Sequence, residues 1–176
     1  MSNIIVFTDG SSRKTKYGTF AGIGINFPDN QLQDVADPFL IKPYSNNRSE
    51  LFAIYMAIKL ITYSGIKFDT IQIYTDSMYS LKSATEWIYT WVKNGWKTAN
   101  KKNVKNRDIL EELYKLLQKH KGKISFVHVL EHNKKTDYLS INNAIADKLA
   151  NEGSEKAKQI LMKIKKIKNK MKKKFT

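Results

Sequence analysis

The chain has 176 residues, the size of about one domain, and 41% of them are hydrophobic, which argues against general disorder. It contains no cysteine, which excludes disulfides, thiolate metal sites and a cysteine nucleophile. It carries 31 Lys and Arg against 16 Asp and Glu, a formal net charge of +15. Such a basic chain is expected to bind nucleic acid or an anionic membrane surface, unless its charge serves only solubility; we favour nucleic acid.

The expected location follows from features that the sequence lacks. The first residues, MSNIIVFTDG, carry no basic leader and too few apolar residues for a secretory signal. No stretch approaches the roughly 18 apolar residues of a membrane span. The absence of cysteine fits a reducing compartment. We therefore expect an intracellular monomer, in the cytoplasm or in the nucleus or nucleoid, that is not secreted and does not bind membranes.

Three short strands are predicted in the first part of the chain. Residues 3–8 form an apolar run that ends at Asp9, and residues 19–27 form a glycine-rich run compatible with a strand. A turn signal follows, and a less clear strand covers residues 31–41, which favours a hairpin. A helical pattern then begins at Arg48.

The rest of the chain alternates strands with helices. We predict a strand at 70–75, a helical segment at 77–92 in one or two pieces, a polar basic loop at 94–106, a helix at 107–120, a strand at 123–130, a polar loop at 131–141 and a helix from about Asn142. The order β-β-β-α-β-α-α-β-α implies an α/β protein with a mixed sheet. The early strands form an antiparallel meander, and helices cover the sheet.

Four acids stand near the ends of these elements. Asp9 and Asp76 follow strands, Glu50 lies in the first turn of a helix, and Asp147 lies near the start of the last helix. Such ends converge on one crevice in open α/β sheets. Carboxylates gathered there repel one another unless cations neutralise them, and oxygen ligands favour Mg²⁺ or Mn²⁺. Two ions about 4 Å apart suit the displacement at a phosphodiester.

Each acid also has a simpler explanation. Glu50 could complement a helix N-terminus, and Asp9 and Asp76 could be turn residues that bond their own backbone. Asp147 could be an acid on the surface of a helix. Spacing alone leaves these alternatives open.

Several sequence motifs resemble those of type 1 ribonuclease H, in the family's order and with similar spacing. They are FTDGS at 7–11, NNRSELFAI at 46–54, YTDSMY at 74–79, NNAIADKLA at 142–150, and the basic stretch WIYTWVKNGWKTANKKNVKN at 87–106. The resemblance implies a mixed five-stranded sheet flanked by helices. We place the domain at residues 1–152 and a lysine-rich amphipathic tail at 153–176.

The resemblance implies hydrolysis of the RNA strand of RNA–DNA hybrids, which leaves 5′-phosphate and 3′-hydroxyl ends. Two Mg²⁺ ions, with Mn²⁺ as a substitute, would be held by four acids. Asp9 would bridge both ions, Asp147 would hold the ion that activates water, and Glu50 and Asp76 would hold the other. His132 would assist proton transfer or product departure.

The same resemblance assigns nucleic-acid contacts. Asn46 and Asn47, with Glu50, are suited to the 2′-hydroxyl that distinguishes RNA. The remaining predicted contacts are Tyr79 and Trp87 in a DNA channel, Ser45 and Asn106 at a DNA phosphate, and Trp91, Lys93, Trp96, Lys97, Lys101 and Lys102 in the basic protrusion. Because tryptophan is usually buried, we expect at least one of the three to be structural.

The sequence departs from the family in places. The loop from His132 to Asp147 is longer than usual, and Glu131 stands where the family has glycine. His128 lies in a regular strand pattern and is expected to be structural. His120 ends a helix, where a cation is favourable, and is given no chemistry.

The tail and two rival functions complete the expectations. Residues 153–176 hold ten lysines and one acid, and we expect a helix that extends the last predicted helix. We expect this helix to contact nucleic acid, ahead of the alternatives of packing on the domain, membrane binding or an address signal.

One rival function for the chain is a hybrid-binding module without catalysis. The other is a different nuclease of similar architecture, such as a resolvase or exonuclease.

Overall fold

The computed structural model describes residues 2–130 and 137–174. In chain order the elements are β1 Asn3–Thr15, β2 Gly18–Asn26, β3 Val35–Phe39, α1 Asn46–Tyr63, β4 Thr70–Thr75, α2 Met78–Lys82, a π-helical turn Ser83–Trp87, α3 Ile88–Lys93, α4 Arg107–Lys119, β5 Ile124–His128 and α5 Tyr138–Lys174. The predicted α/β class and order of elements are confirmed.

The five strands form one mixed sheet in the order β3-β2-β1-β4-β5. The pairs β1–β2 and β2–β3 are antiparallel, which confirms the predicted meander. The pairs β1–β4 and β4–β5 are parallel. β1 is therefore the central strand, and it has an antiparallel neighbour on one side and a parallel neighbour on the other.

The first half of β1 alternates apolar side chains between the two faces of the sheet. Ile4 and Val6 are fully buried in the large core that α1 and α4 also line. Ile5 and Phe7 belong to the smaller cluster on the opposite face, against α5. This period of two, with both faces apolar, is what a central strand requires when helices cover both sides of the sheet.

β1 is longer than the sequence predicted. The apolar run ends at Thr8, but the strand continues to Thr15, because backbone pairing with β2 persists as far as the pair Thr15 and Gly18. Asp9 therefore lies in the middle of the central strand and does not follow its end. Hydrogen bonds to β2 do not depend on side-chain polarity, so the ladder extends past the last apolar residue.

α5 also begins earlier than predicted, at Tyr138, where Asp137 accepts hydrogen bonds from the backbone amide and the hydroxyl of Ser140. Asp147 consequently lies in the third turn of α5 and not near its start. The expected continuation of this helix into the tail is confirmed, since α5 runs without a break to Lys174. A domain boundary at residue 152 stays a prediction. Within the described ranges no helix is long and apolar enough to cross a membrane.

Candidate active site

Three of the four predicted acids meet at the centre of the sheet. One carboxylate oxygen from each of Asp9 on β1, Glu50 on α1 and Asp76 after β4 lies within 4.8 Å of the others. Asp9 and Glu50 are only 6% and 5% exposed, and Asp76 is half-buried. The site is therefore a buried acidic cluster that opens to solvent on the side of Asp76.

Two glycines allow helices to approach Asp9 from both faces of the sheet. A Cβ on Gly10 would overlap the backbone nitrogen of Glu50, so the first turn of α1 lies directly against β1. Gly24, the cross-strand partner of Asp9, lies so close to α5 that a Cβ would overlap the carbonyl oxygen of Ala146. These contacts bring Glu50 to one side of Asp9 and the turn that carries Asp147 to the other.

The cluster holds more negative charge than its buried position favours. Burial, followed by the charges of Asp9 and Asp76, raises the pKa of Glu50 far above its usual range. Burial, followed by the charge of Asp76 and, more weakly, of Asp147, raises the pKa of Asp9. Carboxylates with pKa values raised in this way bind protons at neutral pH unless cations replace those protons.

The unsatisfied hydrogen-bonding capacity of the cluster fits a hard cation. The Oε1 atom of Glu50 accepts a hydrogen bond from Asn46 at 3.3 Å, but its buried Oε2 has no hydrogen-bond partner among the described residues. A buried acceptor without a donor costs free energy, which a coordinated divalent cation would recover. The donor set contains only carboxylate oxygens, which are typical ligands of Mg²⁺ and Mn²⁺. The residues therefore fit a divalent metal site.

Asp76 is held by two residues that sequence reasoning did not assign to the site. Asn143 of α5 donates from Nδ2 to Asp76 Oδ2 at 3.0 Å. The Nε2 of His128 lies 3.0 Å from the Asp76 carbonyl oxygen, so the expectation that His128 is a hydrogen-bonded structural residue is confirmed. Asn143 stands inside the motif NNAIADKLA, four residues before the last acid, and this position was the signal that the sequence offered.

Asp147 lies at the rim of the cluster and is exposed. Asn151, one turn later on α5, donates to Asp147 Oδ1 at 3.2 Å. Asn151 in turn accepts a hydrogen bond from the Ser11 hydroxyl at 2.7 Å. β1 continues past Asp9 to Ser11, and Ser11 positions the fourth acid through Asn151. The shorter strand predicted from the sequence would have ended before Ser11.

The two remaining histidines differ in what the structure says of them. His132 lies outside the described residues, so its role in proton transfer stays a prediction. His120 has its Nε2 2.9 Å from the Thr62 hydroxyl. Burial, with the charges of Lys119 and Lys123, lowers the pKa of His120. The shift favours the neutral ring, and the hydrogen-bonded position of His120 is consistent with a structural role.

Aromatic and basic residues predicted to contact nucleic acid lie together beside the acidic cluster. Tyr79, Trp87 and Trp91 form a ring-to-ring series, with centroids 6.0 and 5.8 Å apart. A cleft of about 310 Å³ is lined in part by Asn47, Tyr79, Trp91, Lys102 and Asn106. The lysines predicted in the protrusion are all exposed: Lys93, Lys97, Lys101 and Lys102.

Trp96 is buried more deeply than the other two tryptophans. It is only 9% exposed and belongs to the main core, with the Arg107 guanidinium 5.6 Å from its ring centroid. The ring packs at the base of the protrusion and has little exposed surface, so any contact with nucleic acid stays a prediction. The expectation that at least one of the three tryptophans is structural is confirmed.

Arg48 of α1 joins the cleft to α4. Its charge alone did not predict this buried structural role. It is 3% exposed and donates to both oxygens of Asp108, at 2.8 and 2.6 Å, which lowers the pKa of that carboxyl. Arg48 also donates to Asn106 Oδ1 at 3.4 Å, while Asn106 donates to the Tyr79 hydroxyl at 2.9 Å. Ser45 caps α1 by accepting from the Arg48 amide at 3.4 Å.

The fold and the site define an α/β protein with a cluster of carboxylates that fits a divalent metal at the middle of a mixed sheet, next to a basic aromatic cleft. A family model described as RNase H matches residues 1–155. The chain therefore belongs to the RNase H family, which confirms the resemblance seen in its motifs.

Curated relatives from different sources share this similarity. The chain is 32% identical to ribonuclease HI of Rickettsia prowazekii over 160 residues, which cover 91% of this chain and 96% of the relative. It is 37% identical to a probable ribonuclease H of Acanthamoeba polyphaga mimivirus and 36% identical to ribonuclease H of Schizosaccharomyces pombe, over 81% and 85% of this chain. The matches span only 62% and 52% of those two longer proteins.

Solved structures give the same fold. The RNase H domain of PFV superimposes with a TM-score of 0.68 at 26% identity, over 86% of this chain and 94% of that domain. The RNase H1 of Halobacterium salinarum superimposes with a TM-score of 0.54 at 22% identity, over 89% of this chain and all of that one.

Proposed function

We propose that the chain hydrolyses the RNA strand of RNA–DNA hybrids with the help of two bound Mg²⁺ ions, for which Mn²⁺ can substitute. The observation that carries the proposal is the buried cluster of Asp9, Glu50 and Asp76, with an unpartnered Glu50 oxygen, in a chain of the RNase H family. The names of the curated relatives support the substrate.

Asp9, Glu50, Asp76 and Asp147 would hold the metal. Bound there, the ions would lower the pKa of a water and stabilise charge on the attacking and leaving oxygens. In the reaction, water oxygen bonds to phosphorus, the bond from phosphorus to the 3′ oxygen breaks, and a proton reaches that oxygen. The products are a 5′-phosphate and a 3′-hydroxyl.

The chain's own residues would bind and orient the hybrid. Asn46 is exposed at the start of α1 and already hydrogen-bonds Glu50, so it stands where an RNA 2′-hydroxyl near the acids would lie. The Tyr79 and Trp87 rings offer a surface for DNA sugars and bases. The exposed lysines of the protrusion would contact phosphates, so affinity should fall as salt increases. The monomeric state and intracellular location stay predictions.

The first test is cleavage of one labelled RNA strand in a hybrid, in an RNA duplex and as a single strand, each with Mg²⁺ and with a chelator. We expect cleavage only of the hybrid and only with Mg²⁺. Tight binding without cleavage would instead support a binding module, and cleavage of duplex DNA but not of the hybrid would support another nuclease.

Asp76→Asn is the decisive variant, because it removes a carboxylate and little volume. We expect activity to fall more than about a hundredfold, beyond the usual loss when only a residue supporting a metal ligand is removed. Hybrid affinity in chelator and the thermal unfolding midpoint should change little. Retained activity at ordinary Mg²⁺ concentrations would contradict the role of Asp76.

A further inference from the structure

A second basic groove lies outside the acidic site and the protrusion. It has a volume of about 640 Å³ and is enclosed by the turn between β1 and β2, the loop before α1, and the part of α5 beyond the sheet. Its lining includes Tyr17, Tyr44, Lys42, Lys165 and Lys166. None of the described residues that line it is acidic.

The lining combines cationic groups with flat rings. Tyr17 is 51% exposed at the tip of the turn, and the Lys16 ammonium lies 5.1 Å from the centroid of its ring. Lys42 on one wall and Lys165 and Lys166 on the other are all exposed. Lysines beside accessible aromatic rings are typical of sites that bind single-stranded nucleic acid, where bases stack and phosphates pair with cations.

The groove is continuous with residues assigned to the hybrid. Tyr44 directly precedes Ser45, the cap of α1, and Asn46 follows. The buried Arg48 donates to the Lys42 carbonyl oxygen at 3.5 Å and to Asn106 at 3.4 Å. One side chain therefore contacts both a wall of the groove and an edge of the predicted hybrid surface, so the two surfaces adjoin at Arg48.

We propose that this groove binds a single-stranded extension of the hybrid, so that the chain prefers hybrids with an overhang to blunt ones. The proposal rests on the proposed function, because the hybrid surface delivers the strand to the groove. A duplex alone would not explain the groove, since paired bases hide the faces that Tyr17 and Tyr44 could stack on. The lysines on this side of α5 then contact phosphates of the overhang.

The apolar stripe of α5 is a separate feature. It consists of exposed residues that do not line the groove: Ile160, Ile164, Ile167 and Met171. A lipid surface could use that stripe together with the same lysines, so lipid binding serves as the competing outcome of the test.

The test is fluorescence anisotropy in chelator, which prevents cleavage. A blunt hybrid is compared with the same hybrid carrying a short single-stranded extension at each of its four strand ends in turn. We expect at least one extension to tighten binding about five- to tenfold, the value of roughly one stacked base. The gain should shrink as salt rises.

Two matched pairs of variants locate the effect. Lys165→Ala with Lys166→Ala should abolish the gain from the extension and leave blunt-hybrid affinity nearly unchanged. Lys163→Ala with Lys170→Ala removes the same charge from exposed positions on α5 that do not line the groove, and should keep the gain. Tyr17→Ala should reduce the gain, whereas Tyr17→Phe should retain it.

The proposal is overturned if no extension improves binding, or if both lysine pairs lose the gain equally. It is also overturned if extensions have no effect while the chain co-sediments with phosphatidylserine vesicles in a lysine-dependent manner. Absence of Mg²⁺-dependent cleavage of the blunt hybrid would contradict the proposed function instead, and the anisotropy result would still decide the groove.

Discussion

Among the described residues, Glu50 is the carboxyl group whose surroundings oppose a negative charge most strongly. It is 5% exposed, it faces two other acids, and one of its oxygens has no hydrogen-bond partner in the described chain. Without metal, the folded state favours a proton on this cluster. Metal binding at neutral pH should therefore release protons.

The raised pKa values predict how stability depends on pH without metal. A carboxyl whose pKa is higher in the folded than in the unfolded state stabilises the fold below its unfolded pKa, near 4, and this stability is lost as pH rises through the folded pKa. Asp9→Asn resembles the protonated form at every pH. In chelator, we expect the free energy of unfolding of the variant to rise relative to that of the wild type as pH increases. The expected rise is about 1 kcal/mol or more between roughly pH 5 and 8.

Chemical denaturation of both proteins across this range measures the difference. Added Mg²⁺ should stabilise the wild type and remove the advantage of the variant. Parallel curves in chelator would contradict the raised pKa of Asp9.

Asn143 is predicted to act through Asp76, to which it donates at 3.0 Å. Asn143→Ala should lower activity about 10- to 100-fold at limiting Mg²⁺, the usual cost of losing a residue that orients a metal ligand. Activity titrated against Mg²⁺ should recover at high concentration, while kcat stays close to that of the wild type. A loss that persists at saturating Mg²⁺ would contradict a positioning role.

At the scale of elements, the site depends on how closely two helices approach β1 and β2. α1 and α5 lie on opposite faces of the sheet, and each contacts backbone where a glycine leaves room. Side chains of ordinary size at Gly10 and Gly24 would hold both helices away from Asp9. The geometry of the acids is therefore set by backbone contact between elements as well as by the acids themselves.

Gly24→Ala tests this dependence. The added methyl would overlap the Ala146 carbonyl oxygen, so α5 must move, and we expect a loss of about 3 kcal/mol in unfolding free energy, the upper value for overpacking. Activity should fall further than stability alone explains, because Asp147 moves with α5. Gly95→Ala is the control: no described atom lies within 4 Å of the added methyl, and only its positive φ opposes it, at roughly 1–2 kcal/mol. Equal effects would contradict the role of close approach.

At the scale of the whole molecule, positive charge is concentrated in the last part of the chain. Residues 153–176 carry ten lysines and one acid, which is +9 of the total +15. Their helix runs without a break to Lys174, and its described side chains from residue 163 to 173 are exposed, so most of this charge faces solvent. A long basic helix of this kind adds phosphate contacts without altering the acidic cluster.

Deleting residues 163–176 removes eight lysines but keeps Ala157, which is buried against the domain. We expect weaker binding of an overhang hybrid and a slope of log affinity against log salt that is reduced by at least about 1, since each lost phosphate contact lowers it by roughly 0.7–0.9. A variant with the eight lysines changed to glutamine separates charge from helix length. An unchanged slope would assign the tail to another role.

Local patterns in the sequence predicted the fold class, the order of the elements and the three acids that meet in the structure. β4 matched its predicted range, because an apolar run bounded by polar residues carries its own signal. The motifs, read together, indicated the family. Each element and each motif is encoded by residues close together in the chain, so it can be read locally, whereas the role of the acids was indicated only by all the motifs together.

Only the tertiary structure decided how these parts meet. The length of β1 depends on its pairing with β2, and the position of Asp147 depends on where α5 begins. The hydrogen bonds of Asn143, Asn151 and Arg48 join residues 58 to 140 positions apart in sequence. Trp96 and His120 acquired their environments from packing, which no local pattern encodes. Burial and long-range contact determine charge state and accessibility, and both exist only once the chain has folded.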